Sequence, residues 1–258
     1  MLFRFILLLG TLLFLSCSQP KHFSSDYYLY LKIDTSEKLE KYGYTDSTGK
    51  IIIPFDKYPM CFTDTIKTIG FVAVRHQGLS KVKGYYAINR NDQILFQVYP
   101  FDNGIDMVQE GLFRIVDEQG LIGFADMSGK IMIRPRYAYV DRFTDGLASF
   151  CVGCSPKTYV SDKEEIVRKK GDEYQWEGNE IIINRKHAYG YVNHDGDTVL
   201  QAVYDRAGPF MDGIAVVFKD GSAYCIDKKG NKVTPDIQKH PSFNPNWIRA
   251  YDRVKYIN

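Results

Sequence analysis

Short apolar runs alternate with turn residues along most of this chain, and the alternation follows one frame. An aromatic or apolar pair leads into Asp or Asn, then two free positions, a turn residue and a β-branched run. Two copies read Tyr42-Gly43-Tyr44-Thr45-Asp46-Ser47-Thr48-Gly49-Lys50-Ile51-Ile52-Ile53-Pro54 and Ile122-Gly123-Phe124-Ala125-Asp126-Met127-Ser128-Gly129-Lys130-Ile131-Met132-Ile133. Looser copies read Tyr85-Tyr86-Ala87-Ile88-Asn89-Arg90-Asn91-Asp92, Tyr189-Gly190-Tyr191-Val192-Asn193-His194-Asp195-Gly196 and Ala223-Tyr224-Cys225-Ile226-Asp227-Lys228-Lys229-Gly230. Recurrence near the size of one supersecondary unit outranks local propensity, because it decides the architecture. The turn position falls at Gly49, Asp92, Gly129, Gly196 and Gly230, in steps of 43, 37, 67 and 34 residues. The step of 67 is close to two ordinary ones, and residues 159–167 keep the frame without its Gly, so a degenerate copy is expected there.

Asp or Asn opening a type I turn caps it with its side chain, and Gly at the fourth position tolerates positive φ. Such a turn joins two antiparallel strands, with a bulge restoring the register. Each copy therefore predicts a β-hairpin: an aromatic-rich strand, a tight turn and a β-branched strand. A further apolar run follows each of the first four hairpins: Gly70-Phe71-Val72-Ala73-Val74, Gly111-Leu112-Phe113-Arg114-Ile115-Val116, Gly146-Leu147-Ala148-Ser149-Phe150 and Gly213-Ile214-Ala215-Val216-Val217-Phe218. Phe143 and Phe210 stand three residues before their glycines. These runs predict a third strand entered through a tight bend. One three-stranded sheet cannot bury both faces, so neighbouring units must stack or join edge to edge. The expected fold class is all-β, made of five or six tandem three-stranded antiparallel meanders in a β-repeat array or a propeller-like arrangement.

The string Tyr-Gly-Tyr-x-Asp-x-x-Gly-Lys, followed by Ile-Ile-Pro and later by Phe-x-x-Gly-Leu-Ala, resembles the WG-repeat (KWG) proteins, bacterial β-rich repeat arrays. The resemblance runs over about residues 41–235 and is clearest in the first, third and fourth copies. The Trp of the family pattern is Tyr42, Ile122 and Tyr189 here. The resemblance implies a scaffold or binding role and supplies no catalytic residues.

A chain of 258 residues, 45% hydrophobic and 25% charged, can bury a substantial core. Aromatics reach 14%, with 19 Tyr, which suits strands better than helices. A net charge of +2 gives no electrostatic grip on nucleic acid, and no nucleic-acid partner is expected.

Residues 1–16 form a separate module. Arg4 supplies a positive start, and the apolar run from Phe5 to Leu15 has the length of a secretory segment and is too short for a free-standing span. Phe14-Leu15-Ser16-Cys17 resembles a bacterial lipobox, which makes Cys17 the expected lipid attachment site. An ordinary signal peptide with an incidental Cys is the alternative. Several acyl chains on one Cys give durable anchoring, at about 0.8 kcal/mol per buried methylene. Ser18 does not resemble an inner-membrane retention signal, so the outer membrane of the bacterial envelope is the expected location, with residues 17–26 as a polar tether.

With Cys17 acylated, Cys61, Cys151, Cys154 and Cys225 remain, and four cysteines allow three pairings. Outside the cytoplasm a disulfide is the default, and Cys151–Cys154 is its expected place. Free or otherwise paired thiols, a metal site and redox work are the alternatives. A thioredoxin-like role needs the pair at the start of a helix, and none is predicted after Ser155-Pro156. A zinc site needs two more ligands at workable spacing; His187 and His194 lie far downstream, so no metal is expected. Asn193-His194-Asp195-Gly196-Asp197 lacks the later bidentate Glu of a calcium loop, and its place in the frame makes it a hairpin turn. No Ser-His-Asp or paired-carboxylate pattern stands out, so neither catalysis nor a cofactor is expected.

Residues 155–186 break the rhythm as an insertion with mixed charge, Tyr174, Trp176 and the strand-like Ile181-Ile182-Ile183. Insertions in repeat arrays map to loops on one face, often the binding face, and Tyr174 and Trp176 are the candidate binding residues. A plain solvated hairpin, with Trp176 tucked against the sheet, is the alternative. Residues 27–235 are read as the repeat domain and 236–258 as an irregular C-terminal cap; the alternating run from Tyr27 to Ile33 is a second cap candidate. Together these features predict a non-catalytic, membrane-anchored scaffold binding protein or glycan. A carbohydrate-binding accessory module and a CxxC thiol oxidoreductase are its rivals.

Overall fold

The computed structural model describes residues 27–75, 82–102, 104–156, 176–177, 180–184, 186–220, 222–235 and 254–257. Every regular element among them is a β-strand, so the all-β class read from the aromatic and β-branched runs holds. No helix among the described residues is long and apolar enough to cross a membrane.

The chain opens with a meander of β1 (Leu29–Asp34), β2 (Lys41–Thr45) and β3 (Ile51–Tyr58), and the short β4 (Thr65–Ile66) pairs back on β1. A second meander is β5 (Ile69–Arg75), β6 (Val82–Asn89) and β7 (Ile94–Val98). After a small hairpin of β8 (Pro100–Phe101) and β9 (Gly104–Ile105) comes a third: β10 (Leu112–Val116), β11 (Ile122–Asp126) and β12 (Ile131–Tyr137). The fourth begins with β13 (Ala148–Val152). An excursion carrying β14 (Trp176–Glu177) and β15 (Glu180–Asn184) follows, before β16 (Ala188–Val192) and β17 (Thr198–Tyr204) complete that sheet. The short β18 (Arg206–Ala207) leads to the fifth meander, β19 (Ile214–Lys219), β20 (Ser222–Asp227) and β21 (Lys232–Val233). Finally β22 (Val254–Ile257) pairs in parallel with β15, so the C-terminal segment is not irregular throughout.

The turns form as their side chains dictate. The Asp46 carboxylate accepts the N–H groups of Thr48 (2.9 Å) and Lys50 (3.0 Å). Asn89, Asp126, Asn193 and Asp227 repeat this at residues two and four further on. The Asn193 loop is thus a hairpin turn of the common kind. Asp117 makes the same turn between β10 and β11, binding the N–H groups of Gln119 and Leu121. Its Asp-x-x-Gly signature was in the sequence, one strand out of frame.

The Gly-led strands enter through two-residue loops. Glu110-Gly111, Asp145-Gly146 and Asp212-Gly213 each have both φ angles positive, from 51° to 81°, which is the backbone of a type I′ hairpin. Gly70 is different: it makes room for Ile66, which would lie 2.6 Å from a Cβ there.

The Gly-led strand belongs to the meander that follows it. Strand β5 pairs with β6 from Ile69↔Asn89 to Arg75↔Val82, and β10 pairs with β11, β13 with β16 and β19 with β20 along their lengths. Its link to the preceding hairpin is narrower: Cys61↔Val72, Val98↔Ile115, Val140↔Phe150 and Ala207↔Val217. Units therefore join edge to edge through the tail of each hairpin. The run that begins at Leu29 opens the first meander in the same way.

The glycine preceding the buried aromatic has a specific task. In the first, third and fourth copies the register jumps across it: Tyr42↔Tyr58 to Tyr44↔Ile53, Ile122↔Tyr137 to Phe124↔Ile133, and Tyr189↔Tyr204 to Tyr191↔Leu200. The opposite strand bulges over Gly43, Gly123 and Gly190. A Cβ on Gly190 would sit 2.5 Å from the Leu200 carbonyl oxygen, and one on Gly123 2.5 Å from the Pro135 nitrogen. Where the frame has Tyr86 instead, the ladder with the second arm runs from Tyr85↔Val98 to Ala87↔Phe96 without such a jump.

The core is a chain of overlapping clusters rather than one centre. One gathers Leu29, Tyr44, Ile53, Tyr58 and Ile88; the next Phe71, Val98, Phe113 and Ala125; the next Phe124, Phe143, Phe150 and Val192; the last Tyr191, Tyr204, Phe210, Val217 and Ile226. Each draws on neighbouring units, as expected of a quasi-one-dimensional array. Two buried tyrosine hydroxyls reach backbone acceptors: Tyr44 donates to the Thr63 carbonyl and Tyr191 to that of Gly208, both at 2.7 Å. The described sheets stay open, with no closed barrel and no propeller ring.

Candidate functional site

Two ladders of polar contacts hold the tips of successive units together. The Glu110 carboxylate accepts the Gly146 N–H at 3.0 Å, and Asp145 accepts that of Gly213 at 2.6 Å, so each type I′ corner grips the next. On the hairpin side, the turn of each unit rests on the second arm of the one before. Asp92 meets Lys57 and accepts from Tyr58, and the Gly196 carbonyl accepts from Arg136. A Cβ on Gly129 would meet Leu95, and one on Gly230 would meet Leu200. The first turn has no such neighbour among the described residues: Gly49 has nothing within 4 Å of where a Cβ would be. A shallow open groove there is lined by Tyr30, Lys32, Thr45, Asp46 and Thr48.

Outward-facing side chains on the second arms of the hairpins share a position. Ile51, Ile94 and Ile131 stand five residues after Asp46, Asn89 and Asp126. They are 52%, 51% and 44% exposed. Leu95, Met132 and Val199, six residues after the turn residue, are exposed as well. Of the aromatics of the frame, Tyr44, Phe124, Tyr189 and Tyr191 are buried, and Tyr42, Tyr85, Tyr86 and Tyr224 are half-buried.

Between the second and third units lies a buried ion pair. Arg114 donates to both oxygens of Asp106, Nε at 2.9 Å and Nη2 at 2.7 Å, while Nη1 donates to the Val140 carbonyl at 3.2 Å. The guanidinium also lies over the Tyr99 ring at 4.0 Å. Burial acts to lower the Arg114 pKa, and the hydrogen bonds and charge of Asp106 outweigh it, so the net direction is upward. A bidentate, fully satisfied pair of this kind fixes geometry and offers nothing to a substrate.

The cysteine pair lies at the root of the excursion. Cys151, paired with Tyr189 near the end of β13, is disulfide-bonded to Cys154, with Cα atoms 5.9 Å apart. Gly153 between them has φ 87°, and its bare α-carbon lets the loop lie against the Lys186 carbonyl. That crossing brings His187 to the pair: its ring nitrogen and the two sulfurs lie within 4.8 Å of one another. His187 lies far downstream of the pair in sequence, and the β13–β16 ladder brings the two together by returning the chain to its starting point after the excursion. The Tyr189 hydroxyl lies 3.8 Å from the Cys154 sulfur. Cys61 and Cys225 are free and buried, and burial pushes the Cys61 thiol up to about 11.

Of the other candidates, Cys17, Tyr174 and the degenerate copy at 159–167 lie outside the described residues, and of Trp176 only the backbone, in β14, is described.

The family model for the WG containing repeat matches residues 122–153 and 189–222. The first stretch spans β11 to the end of β13, and the second starts within β16 and ends as β20 begins. The chain is thus a repeat-containing β protein, with two stretches that match this repeat. No curated protein matches it. Among solved structures it is similar to the computationally designed Ika8 protein, at 12% identity and a TM-score of 0.31, over 79% of this chain. The match spans 60% of that designed chain's length.

Proposed function

We propose that this protein is a non-catalytic, membrane-anchored repeat scaffold of the bacterial envelope, and that it binds a protein partner along its hairpin arms. The observation that carries this is the recurrence of exposed aliphatic side chains at one position of the frame: Ile51, Ile94 and Ile131, flanked by Leu95, Met132 and Val199. Apolar side chains kept in solvent at a repeated site form a surface suited to a protein partner. Glycan recognition stands second. Sugar rings stack on exposed aromatics, and the large exposed aromatics among the described residues are Tyr30 and Phe101, the latter already covered by Arg142 at 4.6 Å. A thiol oxidoreductase stands last, because Cys151 sits on a strand and not at a helix start.

Proximity labelling in cells tests the partner surface. The full chain carrying Ile51→Glu, Ile131→Glu and Val199→Glu, with its far-UV circular dichroism unchanged, is expected to lose the labelled partner; an identical labelling pattern overturns the proposal. The anchor rests on Arg4, the apolar run after it and Cys17. Cys17→Ser is expected to abolish acyl labelling and membrane fractionation, and unchanged partitioning refutes lipid attachment.

A further inference from the structure

We propose that Cys151, Cys154 and His187 form a soft-metal site, closed by the disulfide and opened by reduction, for which Zn2+ is the fitting ion. Two thiolates and one imidazole are the donor set that zinc prefers. Bonds of about 2.3 Å to sulfur and 2.0–2.1 Å to nitrogen put tetrahedral donors about 3.5–3.8 Å apart. The three donor atoms already lie within 4.8 Å of one another; breaking the S–S bond lets the sulfurs part toward that spacing while the imidazole nitrogen approaches them.

The arrangement does not depend on the S–S bond. Cys151 is held by its pairing with Tyr189, and Val152 by its pairing with Ala188. Just past the end of that ladder Gly153 lies against Lys186 and His187, whose Cα would lie 3.7 Å from a Cβ on Gly153. Backbone pairing and the Gly153 turn therefore keep the donors together when the cysteines are reduced. Cys151 and His187 are buried and Cys154 is half-buried, and two adjacent thiolates there without a cation are unfavourable. A dication bound to them makes a centre of zero net charge, which such a site tolerates. The Tyr189 hydroxyl, 3.8 Å from the Cys154 sulfur, is placed to support a thiolate from the outer shell.

The chemistry balances with a dithiol as reductant. It delivers two electrons and two protons, the Cys151–Cys154 bond breaks to give two thiols, and the dithiol becomes a disulfide. Zn2+ then binds both sulfurs and the neutral imidazole, with a water as its fourth ligand, releasing the two thiol protons. The two states differ mechanically. The disulfide staples only the limb on which the chain leaves for the excursion, whereas the metal also binds His187, where the chain returns.

The test uses the full chain, reduced with a phosphine under anaerobic conditions and titrated with Co2+ and then Zn2+. The reduced chain is expected to take up one equivalent of Co2+ with thiolate charge-transfer absorption and tetrahedral d–d bands, which Zn2+ displaces; the oxidised chain is expected to bind none. His187→Ala should weaken binding by roughly tenfold or more, and Cys61→Ser with Cys225→Ser should leave it unchanged. In the wild-type chain, Zn2+ should protect Cys151 and Cys154 from alkylation, a readout that does not depend on how the His187 variant folds. No stoichiometric uptake, equal affinity and spectrum in a folded His187→Ala chain, or alkylation of the pair at the metal-free rate each overturns the proposal.

Discussion

At the scale of single residues, the fold is punctuated by side chains that bind their own turns. Asp46, Asp126 and Asp227 have lowered pKa values, first because of side-chain hydrogen bonds from Thr48, Ser128 and Asn231, and then through turn N–H groups. A carboxylate whose folded pKa lies below its ordinary 3.8 adds stability that is present above that value and is lost as pH falls through the folded one. These turns are therefore expected to contribute nothing to pH dependence between neutrality and about pH 4, and to weaken below it. Thermal melts of the full chain and of Asp126→Asn check this: the variant should lose less stability than wild type on acidification below that point. An equal acid loss in both would remove Asp126 from the account. These residues were legible in the sequence because an Asp-x-x-Gly turn is closed by atoms within five consecutive positions. His187 was not legible, since its place beside Cys151 depends on a ladder that reconnects chain segments across the excursion.

At the scale of elements, one glycine per clear copy decides whether the second arm bulges. Gly190→Ala forces a Cβ to within 2.5 Å of the Leu200 carbonyl oxygen, and the backbone must move. A loss of about 1–3 kcal/mol is expected, as for overpacking in a filled core, measurable by denaturant titration. Gly49→Ala meets open space and carries only the strain of a positive φ, so its loss should be smaller; the opposite ranking would count against the bulge as the reason for the Gly. Strand existence and hairpin turns were readable from period-two patterns and turn chemistry. The phase of the meander was not. A Gly-led strand has a hairpin on either side of it in sequence, and the full-length ladder with the later one forms only when the chain is assembled.

At the scale of the whole molecule, the overlapping clusters make stability local. Phe210 is buried in the last cluster among Tyr191, Tyr204 and Val217. Phe210→Ala is expected to cost about 3–5 kcal/mol there and to raise amide exchange in β16, β17, β19 and β20, while β1, β2 and β3 keep their protection. A uniform rise across all strands would point to a single cooperative core instead of an array. Open sheets also explain why repeat steps alone left closure undecided: a ring and an open array share every local turn and differ only in whether the ends meet.

What the sequence determined by itself was the set of local conformations: extended arms, Asx-capped reversals and glycine at positive φ. Each is fixed by the sterics and hydrogen bonds of neighbouring residues. The tertiary structure alone decided which edges pair in full, that the array stays open among the described residues, and that an imidazole meets two sulfurs at the root of the excursion. Those outcomes depend on contacts between segments far apart in the chain, where packing and backbone pairing, rather than spacing, select the neighbour.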